Sequence, residues 1–547
     1  MNRLNVIYHL ARADFLERTR RYSFLVTLVL IVFMAYSYVP SRDAAYITLS
    51  VDGARGVYNS AWIGSLVAIL TGITLPLVGF YLVKNAVERD TQTRVGQIMA
   101  TTPLTRPVYT LGKSLSNFAV LALITGVIAL ASIILQLIVG EDRSLDLLSL
   151  LAPILLIVLP TMALISALAV LFETVGWLSN GLGNVIYFFI CTTMTMASFM
   201  PVMLSEGGIN ITQPLVDVFG VGLPLSNMLR STAAAFPNLD FGNNSIGPVP
   251  VIWAAPLQTF VWAGVQWTPL VITRRLFWIV GAIAIALLAA LFFNRFDPAR
   301  ERHRRTKDER RKTREAKPVE TTLLHPQTAT YEKLATLRLA PLDTARMRFS
   351  LWRVFLAELR LLRKGLRWWW ILVAVALVLA GALLPIDVAR RYLLPFTWLW
   401  PLLIWSNLGT REVRHHTAGL VFSSAHPLGR QLPATWLAGV LVTALTGSGI
   451  AFNLLRTGDP TGLTAWAAAV LFIPSLALAL TIWSGSSKLF EVVYLALWYF
   501  GPMNQILPQA DFIGASGAVA GTAVAYLLAA FALLGAAFLG RQRQLHI

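Results

Sequence analysis

Apolar runs of membrane-crossing length recur along almost the whole of this sequence, and a soluble core does not produce that pattern. A helix needs about 20 predominantly apolar residues to cross the hydrocarbon of a bilayer. A soluble chain breaks its apolar residues into shorter, amphipathic stretches. Here only 13% of residues are charged, roughly half the usual share in soluble proteins. Twelve runs read as spans. Six lie at 24–39, 61–83, 115–139, 147–172, 185–204 and 276–293, and six at 368–384, 392–408, 436–452, 463–483, 489–507 and 513–539. The run at 392–408 is interrupted by Pro395 and Pro401, a break that neighbouring helices can accommodate by satisfying the freed backbone groups. The expected fold class is an all-α membrane protein of about twelve transmembrane helices.

The formal net charge is +18, but the basic residues sit at the ends of apolar runs, which argues for membrane topology and against a nucleic-acid partner. Most Lys and Arg fall on one side when the N-terminus is placed in the cytoplasm, and the majority survives without the basic linker. Twelve spans then return the C-terminus to the cytoplasm. The expected location is the cell (inner or plasma) membrane, with both termini cytoplasmic. The first twenty residues are too charged for a cleavable signal and read as an interfacial amphipathic helix. Val6, Leu10, Ala13 and Leu16 share one face, and Arg12, Arg18, Arg20 and Arg21 can reach phosphates. The single cysteine, Cys191, permits no intramolecular disulfide.

Three parts follow. Residues 1–293 form a first half, with a long outer connection at 205–273 whose apolar patches are cut by seven prolines and suit re-entrant or interfacial helices. Its sequons at Asn210 and Asn243 matter only in a eukaryotic secretory route. Residues 294–367 form a basic cytoplasmic linker, its first part drawn to anionic lipid, ending in a second interfacial helix. Residues 368–547 form a second half. The halves read as tandem copies. At one constant offset Glu88, Thr93, Pro103, Leu104 and Arg106 match Glu412, Thr417, Pro427, Leu428 and Arg430. Leu171-Phe172-Glu173 likewise matches Leu489-Phe490-Glu491. The same loop order in each half makes this a parallel repeat about an axis along the membrane normal.

The segment between the second and third runs carries the most information: "VERDTQTRVGQIMATTPLTRPVYTLGKSL". Pro103 ends or kinks the helix before it, leaving a short cytoplasmic helix between two spans, where it can act as a lever. The segment resembles the corresponding loop of the ABC-2 type permeases, the membrane subunits of one class of ATP-binding-cassette exporters. Glu88, Gly96, Pro103, Arg106, Gly112 and Lys113 carry the likeness. The resemblance implies two tandem six-helix bundles and a coupling helix that docks on an ATPase subunit. Glu88, Arg94, Gly96, Thr102, Pro103, Arg106 and Lys113 would make that contact. In the second half Glu412, Gly419, Pro427 and Arg430 keep the pattern, while Trp436 and Leu437 replace its Gly-Lys, so docking there is expected to be weaker. Glu173 and Glu491 are candidate inner-face contacts, or solvated helix ends.

No ATPase motif lies on the chain. A phosphate-binding loop needs Gly-x4-Gly-Lys-Ser/Thr, and Pro107 stands where the first Gly would precede Gly112-Lys113-Ser114. His415-His416 are adjacent and diverge on a helix, and no zinc-peptidase motif occurs. The expectation is a transport subunit and not an enzyme, with no cofactor or metal of its own. ATP and Mg²⁺ would bind the partner ATPase, of which two copies would dock. No charge is evident deep in the twelve runs, which counts against an ion-coupled secondary transporter. That alternative and a non-transporting membrane scaffold stay open.

Overall fold

A computed structural model describes the chain except residues 1–2, 21, 42–43, 45, 52, 180, 205–216, 238–243, 251–257, 295, 297–350, 365, 367, 415–416, 424–426, 505–507, 516, 518–519 and 546–547. Most of the basic linker, both sequons, much of the outer connection and His415-His416 therefore lie outside the described residues. The chain divides into two compact units: residues 1–295 with 491–495, and residues 296–490 with 496–547.

In the first unit, α1 (Arg3–Thr19) is followed by α2 (Tyr22–Tyr38), β1 (Tyr46–Ser50) and β2 (Ala54–Gly56). The chain then enters α3 (Ser60–Val83), whose first turn is closed by Asn59, the side chain accepting the Trp62 N–H at 2.8 Å. Such a cap satisfies one of the four N–H groups a helix start leaves open. Nearly every residue of α3 is buried, so it is the axis of this bundle. Two short helices, α4 (Ala86–Gln92) and α5 (Val95–Thr101), lead to the 34-residue α6 (Arg106–Val139). Next come α7 (Leu147–Pro153), a π turn at Ile154–Val158, α8 (Leu159–Thr174), α9 (Gly181–Leu204), α10 (Gly222–Ala235), β3 (Ser245–Pro250), β4 (Gln258–Phe260) and α11 (Pro269–Phe292).

A small cap covers the end of the bundle where α3 begins. Strand β1 pairs antiparallel with β3, Tyr46 opposite Pro250 and Ser50 opposite Ser245, and β2 pairs in parallel with β4. Trp62 fills the space beneath it, edge-on to Phe260 and Trp262. A Cβ at Gly56 would lie 2.2 Å from the Trp62 ring, so only glycine lets the strand pass over it. Arg55 and Glu141 tie the cap to the α6–α7 connection through a two-pronged pair at 3.0 and 2.7 Å.

The π turn explains how this unit holds a charge inside a span. Such a turn leaves carbonyls without their usual helical partners, and Arg275 of α11 donates to the carbonyls of Leu156 and Ile157 at 3.4 and 3.3 Å. Its other donors reach Asp217 O, Val218 O and Thr161 Oγ1. All five N–H groups of the guanidinium are thereby used. Arg275 is a fastener between the π turn and the chain before α10.

In the second unit, α12 (Leu351–Arg363) meets α13 (Trp368–Leu383) at a bend of 105°. The expected run at 392–408 is a broken segment: Ile386–Val388, a π turn at Ala389–Leu393, Leu394–Leu399 and Leu402–Trp405. After it come α14 (Arg411–Arg414), α15 (Ala418–Phe422), α16 (Pro427–Thr457), α17 (Pro460–Ser484), α18 (Ser487–Trp498, of which 491–495 belong to the first unit), a π turn at Tyr499–Met503 and α19 (Ala520–Leu545). Small residues bring these helices close, as membrane interfaces favour. A Cβ at Gly449 would sit 1.8 Å from the Val378 carbonyl oxygen. One turn on, the Asn453 amide donates to Gly381 O and Leu384 O at 3.1 and 2.7 Å.

Among the described residues eight helices are long and apolar enough to cross a membrane: α3, α6, α7–α8, α9, α11, α16, α17 and α19. The bent pair α12–α13 would make a ninth. The protein is thus an all-α multi-pass membrane protein. Three of the twelve expected runs take other forms: α2 holds a shorter apolar helix, Thr27–Tyr38, the segment after α13 is broken, and α18 stops after 12 residues at a π turn.

Candidate functional site

The chain between α3 and α6 is a short platform fixed from behind. Its first turn begins at Asn85, whose φ of 141° is rare for a residue with a side chain. The N–H groups of Asn85 and Ala86 donate to Glu173 Oε1 at 2.7 and 3.0 Å. Those of Val87 and Glu88 donate to Glu173 Oε2 at 2.7 and 3.0 Å. One carboxylate at the end of α8 therefore satisfies the donors that the start of α4 would leave open, and its charge faces the positive end of the helix. Arg94, at φ 61°, then turns the chain from α4 into α5. Pro107 in the first turn of α6 starts the next helix where a missing N–H costs nothing.

Beneath the platform lies a buried ion cluster. Lys113 of α6, fully buried, donates to Asp14 Oδ1 and Oδ2 of α1 at 3.0 and 2.9 Å and pairs with Asp90 of α4 at 2.7 Å. Arg89 reaches the same Asp14 at 2.9 Å, and the Tyr109 hydroxyl donates to Asp90 at 2.7 Å. Burying such charges costs several kcal/mol per ion, about what a well-formed set of partners repays. The cluster thus fixes where α1, α4 and α6 meet. Leu10 packs on Gly112, where a Cβ would come within 2.6 Å of it. The outward side carries Thr91, Arg94, Val95, Gln97, Thr101, Thr102, Pro103 and Arg106, all exposed, around Ile98, which is 68% exposed.

The expected contact residues divide accordingly. Glu88, Arg94, Thr102, Pro103 and Arg106 lie on the exposed side, and Gly96 is buried behind them. Lys113 does not belong with this group. The helix of α6 begins nine residues before the apolar run, so Lys113 faces inward in its second turn and offers nothing to a docking partner. Its neighbours Asp14, Arg89 and Asp90 escape a reading by local motif. The available signal was an acid in line with the buried face of α1, at Ala11 and Asp14.

In the second unit the corresponding chain is held differently. Glu412 is buried, accepts a bond from the Gln431 amide, and faces Arg541 of α19 at 3.5 Å. Arg411 pairs with Glu358 of α12 at 3.0 Å. Burial pushes the Glu358 carboxyl up, and the Arg411 charge opposes this. Leu420 is 78% exposed, Gly419 is exposed, Arg430 is half-buried, and Pro427 opens α16.

Glu173 is half-buried, and the start of α4 occupies both of its oxygens. Glu491 is buried in the first unit, where the Asn184 amide donates to it. Asn184 Oδ1 in turn accepts from Lys84, also buried, and the Lys84 ammonium reaches Leu178 O at 3.2 Å. Lys113 and Arg275 lie just before the apolar runs 115–139 and 276–293 but within α6 and α11, which extend past those runs, so these helices hold buried charge that the runs themselves do not contain. Among the described residues no group of three or more His, Cys, Asp or Glu is placed to hold a metal ion. No protein-family model and no curated protein matches the chain.

Proposed function

We propose that this chain is the membrane subunit of an ABC-2 type exporter, moving its substrate with ATP hydrolysed by separate subunits. In this reading about twelve helices form two tandem six-helix halves, both termini lie in the cytoplasm, and one ATPase docks beneath each half. The observation that carries it is the α4–α5 platform: a short exposed surface centred on Ile98, held behind by Glu173 and by the Lys113 cluster. A surface so fixed passes displacement to α1, α3, α6 and α8 without first unfolding, which is what a coupling contact needs. Closure of the ATPase dimer on ATP would then shift the membrane halves between two states by its differential binding to them.

The buried Lys84–Asn184–Glu491 chain favours a second reading, an ion-coupled transporter, because buried ionisable residues in membrane bundles commonly mark ion or proton routes. One experiment decides between the two. The protein is reconstituted with and without a co-expressed ATP-binding subunit, and export is followed with ATP present and the ion gradients collapsed by an uncoupler. The exporter reading expects transport to require the ATPase and to survive the uncoupler. Transport that stops with the uncoupler while ATP remains, or that needs no ATPase, overturns it. For docking, Thr102→Cys in a Cys191→Ser background should crosslink to the ATPase. Full reactivity of that thiol toward a bulky soluble reagent in the complex removes the support the platform gives.

A further inference from the structure

We infer that the elbow between α12 and α13 is a binding site for the headgroups of anionic phospholipids. At about 100° per residue, Arg353, Arg360 and Lys364 fall within about 40° of one another around the axis of α12 and its continuation. They form a stripe with steps of about 10 and 6 Å along the axis. All three are exposed, as is Arg363 beside them. The only acid of the helix, Glu358, points the opposite way, buried with Leu362 and paired with Arg411. Among the described residues the outward face of α12 is therefore cationic without compensation, and none of its four basic side chains has a partner there.

Two neighbours decide what such a face meets. Trp352 is 63% exposed on one flank of the stripe and Leu361 48% exposed on the other. The chain then bends by 105° into α13, which opens with Trp368 and Trp369, 76% and 45% exposed, and continues with exposed Ile371, Leu372, Val375 and Leu379. An apolar helix with its tryptophans at one end sets the level of the membrane interface. A helix leaving it near a right angle lies along that interface. The stripe thus stands at headgroup depth with apolar side chains on both flanks, the arrangement that binds an anionic lipid surface. An acidic protein would have no use for the flanking Trp352 and Leu361. The site is independent of the exporter reading.

The test uses the full chain reconstituted in phosphatidylcholine containing a minority of phosphatidylglycerol, with spin-labelled forms of each lipid as probes. The labelled phosphatidylglycerol should be immobilised at the protein several-fold more than labelled phosphatidylcholine, each charge contributing up to about fivefold. Replacing the stripe as R353Q/R360Q/K364Q should bring the ratio close to one with an unchanged melting temperature, and R353K/R360K should keep the preference. Soluble glycerol phosphate should not compete. An undiminished preference in the triple variant overturns the inference, as does displacement by glycerol phosphate. None of these readouts measures transport, so failure here is separable from failure of the exporter reading.

Discussion

The backbone N–H of Val87 donates to the Glu173 carboxylate at 2.7 Å, across 86 residues of sequence. Three neighbouring N–H groups share the same two oxygens, so the start of α4 is held by a side chain from another helix. Glu173→Gln keeps the shape but turns an amide group toward two of the four donors. Hydrogen bonds to charged groups contribute about 1.5–3 kcal/mol each. Amide exchange at residues 85–88 should accelerate by about tenfold or more in Glu173→Gln, and further in Glu173→Ala. Unchanged protection would show that α4 holds itself.

Lys113 tests the cluster beneath. Lys113→Met leaves Asp14 with Arg89 alone and Asp90 without an ammonium, in a site closed to water. Breaking a buried ion set from one side costs about 3–5 kcal/mol, which should appear as a clear drop in thermal stability in detergent. Adding Asp90→Asn should recover part of the loss, because one orphaned charge is removed with it. A single variant that melts like the parent would rule the cluster out as a fastener.

Much of this arrangement could be read from residues, and the part that could not has a physical reason. Long apolar runs reveal spans because a bilayer allows few other solutions, which is why α3 and α17 could be expected within a few residues. The platform was visible as well, since Pro103 and Pro107 mark its end. Hydropathy cannot tell whether a polar residue at a helix end faces water or another helix. It therefore left Lys113 and Glu173 looking like surface groups, although both are committed to internal partners. It also overlooked Arg275, because the acceptors that tolerate it belong to a π turn and a loop far away in sequence. The second loop shows the same limit. Its motif is poorer than the first, yet Glu412 is buried against Gln431 and Arg541 while Glu88 is exposed. Glu412→Ala should accordingly lower the melting temperature more than Glu88→Ala, the reverse of what motif completeness suggests.

Two glycines separate backbone strain from packing. Gly220 has φ +75°, and a Cβ there would lie 2.5 Å from the Arg275 guanidinium carbon. Gly458 has φ +68° with open space around it. Gly458→Ala should cost about 1 kcal/mol, the left-handed penalty alone. Gly220→Ala should cost that and more, because Arg275 must give up some of its five bonds to make room. Arg275→Met in the Gly220→Ala background would relieve the clash, so the two changes should be clearly non-additive in thermal melts. Equal costs at both glycines would mean that the guanidinium moves freely.

The last prediction concerns Asp459, the cap of α17, and its sign can be worked out in advance. Its carboxylate accepts the Gly462 N–H at 2.8 Å and the Thr461 hydroxyl at 2.7 Å and pairs with Arg390 at 2.9 Å. These bonds, the Gly462 N–H first, hold its pKa below the ordinary carboxylate value of 3.8. A carboxyl whose pKa is lower in the folded than in the unfolded state adds stability that is complete above the unfolded value. That stability is lost as pH falls through the folded one. Asp459→Ala should therefore cost about 1 kcal/mol at pH 7, the usual worth of such a cap. The gap to the parent should shrink as the pH is taken below about 3.9, where carboxylates begin to protonate. Asp459→Asn can still accept the Gly462 N–H but loses the charge facing Arg390, so its deficit at pH 7 should be smaller. Arg390 also holds the Gly514 carbonyl at 2.6 Å, so releasing it should raise amide exchange around Gly514 in both variants. A gap that widens on acidification would show that Asp459 is stabilised in its protonated form, and the cap assigned to it would be wrong.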